Sequence, residues 1–450
     1  MGKTARAIIL SDIHLGPENE LCTFRDEVAL SAFLDHLAAS DEPATELVLA
    51  GDCFDFLQSA GYEGFDAALA VPRFEAILRS PRTAKVIDAL RRFADRAGSE
   101  ITLLSGNHDP EMLLPDVRSC FEQAIARPGT VRFADDEPLR PAEGDRPPVW
   151  GRALGEPEHA IWVVHGDRWD PSNMIHRDQL REAVRAGQSV ALPVGSHLVF
   201  EILRHIKPAR GWIDELKPEG GVFLLLLYLD FMRTAAFLVR HYGLTGDLFV
   251  AQIRAQLRMG PLFGESDKAR PELDVPAVLA GLLADDLRDA AEPLREVLLT
   301  QINERLAGEP PAAGGTFAAH DGVPRLLLRG WLRWMRHADR FQDPSGPDSI
   351  PAAAARYLPE GLAALIAGHT HGPRALKDLR PGYFNTGTWI PVGKVPPGDM
   401  KAKIDQLDDG PSWPTDSPRS FVHVNLESEP AHISLGFCDR DGTPRATPRG

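Results

Sequence analysis

Five short blocks of the chain carry side chains able to ligate a metal: Ser11-Asp12-Ile13-His14, Gly51-Asp52, Gly106-Asn107-His108-Asp109, His165-Gly166-Asp167 and Gly368-His369-Thr370-His371. They supply Asp12, His14, Asp52, Asn107, His165, His369 and His371, enough oxygen and imidazole donors for two divalent cations. A donor set without thiolate suits Mn²⁺ first, with Fe and Zn²⁺ as the other metals it fits. Two such ions side by side activate water and neutralise a phosphoryl group, so the chemistry implied is hydrolysis of a phosphate ester by a metal-bridging hydroxide. Asp52 has two carboxylate oxygens and can bridge the ions. Asn107 adds a neutral oxygen that keeps the cage from being over-charged.

His108 directly follows a ligand and is expected to face the substrate as a general acid, with Asp109 orienting it. Such an acid contributes about 10²–10⁴-fold. Arg168, just after the His165-Gly166-Asp167 block, is the candidate for substrate contact. Asp12 and His14 are two positions apart, as are His369 and His371, and extended backbone would aim each pair at one point. The glycines before Asp52, Asn107 and His369 are expected to let the backbone turn sharply as it leaves a strand. Asp167 is expected to hold a neighbouring backbone group or histidine, Asp55 to support the ligands from behind, and Cys53 to be a buried thiol. Arg177, Arg181 and Arg185 recur every four residues and read as a solvated helix face.

Each block must sit at the end of a strand. Arg6–Leu10, Glu46–Ala50 and Glu100–Ser105 are short apolar runs with strand character, each entering a block, and helical spacing follows over Phe24–Leu37 and Thr83–Ala97. Strand, block and helix in repetition indicate an α/β fold with ligands at the carboxyl ends of the strands. Further strands are expected at Arg127–Phe133, His159–Val164, Leu362–Ala367, Tyr383–Thr386, Ser420–Asn425 and Ala431–Phe437, with loop over Pro138–Arg152 and turns over Val395–Arg419. Almost two hundred residues part the fourth block from the fifth. An excursion of that length within one site reads as an inserted cap. The organisation expected is core over residues 1–190, helical cap over 191–355, core again over 356–440 and a flexible tail over 441–450.

Composition narrows the partners. The 450 residues carry 49 Lys and Arg against 64 Asp and Glu, a formal net charge of −15. Such a balance disfavours nucleic acid, whose phosphates need clustered basic groups. Four scattered cysteines without a C-x-x-C pair fit reduced thiols and a cytoplasmic protein, and the N-terminus enters a strand with no room for a signal peptide. Val222–Val239 is apolar apart from Asp230, Arg233 and Thr234. Its central charges make insertion in a bilayer expensive, so a buried cap helix is expected, with peripheral contact at an inner membrane as the other reading.

Taken in order, D-x-H, G-D, G-N-H-D, H-G-D and G-H-x-H resemble the calcineurin-like metallophosphoesterase superfamily over residues 5–190 and 360–440. The resemblance implies a four-layered α-β-β-α sandwich. It implies that Asp12, His14, Asp52 and His371 hold one metal, and Asp52, Asn107, His165 and His369 the other. Within the superfamily, SDIHLG and HGDRWD are most similar to UDP-2,3-diacylglucosamine diphosphatases, from which the chain departs in having His108 where they usually carry arginine, and in its longer insertion. The expected function is hydrolysis of a phosphodiester or pyrophosphate in a small lipid-linked or nucleotide substrate. A phosphomonoesterase or small-nucleotide phosphodiesterase comes second, and a nuclease or a non-catalytic metal-binding scaffold last.

Overall fold

The computed structural model describes residues 4–41, 44–125, 131–143, 146–216, 344–393 and 415–445, with scattered positions between 225 and 241. The chain divides into two compact units. The first comprises Met1–Lys217, Arg340–Lys394 and Pro414–Gly450, and the second Pro218–Asp339 with Val395–Trp413. The first unit therefore runs past the expected boundary at residue 190 and resumes before 356. Val222–Val239 falls mostly outside the described residues. Among the described residues no helix is long and apolar enough to cross a membrane.

The first unit is mixed α/β. Strands β1 (Arg6–Leu10), β2 (Thr45–Ala50), β3 (Ser99–Leu104) and β4 (Val131–Phe133) pair in parallel and in that order. β5 (Pro138–Arg140) and β6 (Val149–Trp150) form a small antiparallel pair. β7 (Arg152–Leu154), β8 (Ile161–Val163), β9 (Ala364–Ala367), β10 (Arg374–Leu376) and β11 (Gly382–Asn385) build a second sheet in the order β10-β11-β9-β8-β7. β12 (Val392–Gly393) pairs with β13 (Thr415–Asp416). β14 (Ser420–Asn425), β15 (His432–Cys438) and β16 (Pro444–Arg445) extend the first sheet antiparallel from β1, making it seven-stranded. Helices are α1 (Glu27–Ala39), α2 (Ala67–Arg79), α3 (Pro81–Asp95), α4 (Pro115–Ala124), α5 (Arg177–Arg185), α6 (Val194–Leu198), α7 (Arg204–Ile206) and α8 (Ser349–Ala354).

The period-two alternation of the central strands decides what packs where. Ile8 and Leu10 of β1, with Leu47 and Leu49 of β2, meet Leu30, Phe33 and Phe74 of the helices. Their alternates Ala7, Ile9, Val48 and Ala50 meet Ile161, Val163, Ala364 and Ile366 of the second sheet. On the far face of that sheet, Trp162, Leu365 and Tyr383 pack with Ile350 and Ala354 of α8. Because both faces of β1, β2, β8 and β9 are covered, these strands read as near-continuous apolar runs.

Two expectations need correction, and two helices go beyond what the sequence indicated. The loop expected over Pro138–Arg152 holds β5 and β6 and the first residue of β7, because Pro138 and the Gly151 break masked two short strands. Helices α2 and α4 carry no clear sequence signal. Pro72 lies inside α2, where proline ordinarily argues against a helix. The flexible tail expected from residue 441 instead begins with β16, paired to Phe437 and Cys438.

Candidate metal centre

Strands β1, β2, β3, β8 and β9 each end at one block, and register brings the blocks together. Asp12 N donates to Gly51 O at 3.1 Å, His14 N to Asp52 O at 2.9 Å, and Gly368 N to His165 O at 2.8 Å. His371 Nε2 lies 3.2 Å from Asp12 Oδ1, across more than three hundred and fifty residues of sequence. Asp12, His14 and His371 each offer a ligand atom, and these lie within 4.8 Å of one another. The same holds for Asp52, His165 and His369, and for His14, Asp52 and His108. Asn107 joins the second set, its Oδ1 3.1 Å from His165 Nε2. All seven ligand candidates thus meet, and Asp52 and His14 each belong to two groups.

The geometry that aims them is not extended backbone. Asp12, His14, Asp52, His369 and His371 have φ of 52°, 56°, 51°, 68° and 61°, in the left-handed region. Non-glycine residues seldom adopt it, and such strain concentrates where a surrounding structure over-determines a site. Only Gly51 among the preceding glycines has positive φ, +88°. Gly106 and Gly368 are needed for close approach: a Cβ on Gly106 would lie 2.1 Å from Asp52 Oδ1, and one on Gly368 would lie 2.1 Å from Ser11 Oγ. Gly106→Ala is expected to destabilise the protein by about 1–3 kcal/mol through overpacking, measurable by urea denaturation.

Outer partners fix three of the imidazoles. His165 Nδ1 lies 3.1 Å from Ala50 O and His14 Nδ1 3.2 Å from Asp55 Oδ2, leaving Nε2 of both rings toward the cluster. His369 Nε2 lies 3.0 Å from Asp170 Oδ2, which leaves Nδ1. This carboxylate–imidazole pairing is the arrangement that orients metal-ligating histidines. Asp170 is the residue that sequence reasoning missed. Its only signal was a second aspartate three positions after Asp167, and nothing in the spacing ties it to His369.

The assignment of Asp109 is corrected. Its carboxylate accepts from the backbone N–H of Cys53 and Phe54 at 2.9 and 3.1 Å and of Gly106 at 2.5 Å. It therefore braces two loops and does not orient His108. Asp55 takes that place: its Oδ2 lies 3.2 Å from His108 Nδ1 and the same distance from His14 Nδ1. His108 retains 19 % side-chain exposure, whereas Asp12, His14, Asp52, Asn107 and His165 are buried.

Arg168 packs its guanidinium against Met174 Sδ at 2.6 Å and 5.6 Å from the Tyr357 ring centroid, and none of its described contacts is to a ligand side chain. Arg177 is not on a solvated face. It is buried, with Nε 3.0 Å from Asp135 Oδ1 and both Nη atoms on Asp167. Asp167 also accepts from Ile175 N at 3.1 Å, so it holds a neighbouring backbone group as expected, and an arginine besides. Cys53 donates weakly to Gly51 O, and burial pushes its thiol well above the usual range, so it supplies no thiolate.

Electrostatics favour positive charge in this pocket. Burial pushes the Asp12 carboxyl up, but His371 beside it overcomes this and brings it down to about 2. Burial also opposes ionisation of Asp52, and His165 and His108 hold it well below the usual carboxylate range. Burial lowers the proton affinity of His165, yet Asp52 raises it to about 10. Burial and then Asp52 push Asp109 up to about 7. Buried carboxylates here favour positive charge beside them, which a divalent cation also supplies. Asp12 Oδ1 is buried and accepts no hydrogen bond, so the donor set fits a cation. These buried His and Asp groups could hold a metal ion. No protein-family model matches the chain, and no curated protein matches it.

Proposed function

We propose that the protein is a dimetal phosphoesterase of the calcineurin-like type, hydrolysing a phosphodiester or pyrophosphate bond in a small phosphorylated substrate. One observation carries this reading. Asp52 belongs to two groups of donor side chains, within 4.8 Å of His165 and His369 in one and of the ligand candidate His14 and the acid candidate His108 in the other. The two sheets packed face to face, with helices outside both, support the four-layered α-β-β-α sandwich that the resemblance implies.

Asp12, His14, Asp52 and His371 would hold one divalent cation and Asp52, Asn107, His165 and His369 the other, with Mn²⁺ first and Fe or Zn²⁺ as alternatives. Bound there, the pair supplies an activated water and neutralises charge on the phosphoryl oxygens. The chain's own residues do the rest. Asp55 Oδ2 stands 3.2 Å from Nδ1 of both His14 and His108, so His14 would offer its Nε2 lone pair to a metal while the proton His108 donates would sit on its Nε2. That proton is available to the departing oxygen. The peptide N–H of His108 donates to Asp52 Oδ1 at 2.7 Å, coupling the acid's backbone to the shared carboxylate.

The test is turnover of aryl phosphodiester, aryl phosphomonoester, nucleoside diphosphate-sugar and lipid-linked diphosphate by chelator-treated protein, before and after addition of Mn²⁺. Diester or diphosphate hydrolysis restored by Mn²⁺ supports the proposal, and preference for the monoester selects the phosphomonoesterase. No metal-dependent hydrolysis of any of the four removes it. Metal binding also predicts stabilisation: each Mn²⁺ site at a hundred times its dissociation constant is expected to add about 2.7 kcal/mol, read as a rise in melting temperature over chelated protein.

A further inference from the structure

We infer that Asp348 is the positioning residue for the His369-Thr370-His371 loop, an inference that rests on the metal-centre reading. Both histidines adopt left-handed backbone, so something must hold the loop against relaxation. Thr370, the residue between them, donates its hydroxyl to Asp348 Oδ2 at 2.8 Å. Tyr383 O–H reaches Asp348 Oδ1 at 2.9 Å and Oδ2 at 2.8 Å. Asn385 Nδ2 donates to Gly368 O at 2.9 Å and lies 3.0 Å from Thr370 Oγ1. Tyr383 and Asn385 are buried on β11, which pairs with β9, the strand that launches the loop.

One carboxylate thus gathers donors from the loop and from the neighbouring strand. The anchor is itself tied down: Asp348 Oδ1 caps α8 by accepting from Ile350 N at 3.1 Å. The buried Arg374 adds a second brace, donating to Gly346 O and Gly372 O at 2.9 Å each. Asp348 belongs to Arg340–Lys394, where the chain re-enters the first unit. The ligand loop is therefore fastened to the segment that returns from the insertion. Charge matters because an ionised carboxylate accepts several short hydrogen bonds at once, whereas an amide of the same shape presents one acceptor and one donor.

The experiment compares wild type with Asp348→Asn and Tyr383→Phe, using Mn²⁺ calorimetry and hydrogen exchange of the metal-free protein. Asp348→Asn is expected to weaken Mn²⁺ binding by about tenfold, the lower end of what losing a direct outer partner of a metal ligand costs, because Asp348 acts on the histidines through Thr370. It should also speed exchange in residues 368–372 by at least about tenfold while leaving strands β1 and β2 protected. Tyr383→Phe removes one donor and keeps the charge, so a smaller change in the same direction is expected, and it serves where Asp348→Asn does not fold. Unchanged affinity and unchanged loop exchange in a folded variant would overturn the inference. If wild type binds no Mn²⁺, the metal-centre reading fails, and loop exchange alone decides whether Asp348 positions the loop.

Discussion

Asp52→Ala is expected to reduce Mn²⁺-dependent diester hydrolysis by at least about 10³-fold, or about 4 kcal/mol of transition-state stabilisation. The size follows from the number of jobs one side chain holds. Asp52 belongs to two ligand groups, stands 3.3 Å from His165 Nε2, and accepts the backbone N–H of His108. Its removal takes an oxygen donor from both candidate cation positions and loosens the loop that carries the acid. The fold should survive in the metal-free state, because His165 can shed its proton once its principal anionic partner is gone and need not remain an unpaired buried charge. Circular dichroism should therefore be unchanged while Mn²⁺ binding and turnover are lost. Turnover within tenfold of wild type at saturating Mn²⁺ would sink the proposed mechanism.

His108→Gln should separate leaving groups. With an alcohol or phosphate leaving group that needs a proton, turnover is expected to fall about 10²–10⁴-fold. With an acidic aryl leaving group the fall should be small, since that oxygen departs without help. The ligand set is not touched, so Mn²⁺ affinity should change little. Asp55→Asn should show the same leaving-group pattern, but with weaker metal binding as well, because its Oδ2 faces His14 as closely as His108. Equal losses on both kinds of leaving group would assign His108 to substrate or metal binding instead of proton transfer.

The metal blocks were legible because each is short, follows an apolar run and keeps a fixed spacing. β1 and β14 fell where the residue pattern put them, and β2, β3, β8, β9, β11 and β15 within one or two residues. What supports the blocks was less legible. Asp170 reaches His369 over 199 positions and Asp348 reaches Thr370 over 22, with no motif in either case. Asp348 sits in a stretch that the long excursion made look like cap, and only its hydrogen bonds to β11 and to the loop after β9 return it to the core. Asp109 was misassigned for a related reason, whereas Asp55 supports His14 from behind as expected. Adjacency in sequence favoured Asp109, but its left-over backbone donors in the two loops claimed it first.

By itself, the sequence determined which residue types are available and which strands deliver them, since donor chemistry and apolar alternation are local properties. Tertiary structure alone decided which carboxylate faces which imidazole nitrogen. That choice depends on strand order, on register between two sheets and on left-handed turns at Asp12, His14, Asp52, His369 and His371, and each of these is settled by contacts between residues far apart in the chain.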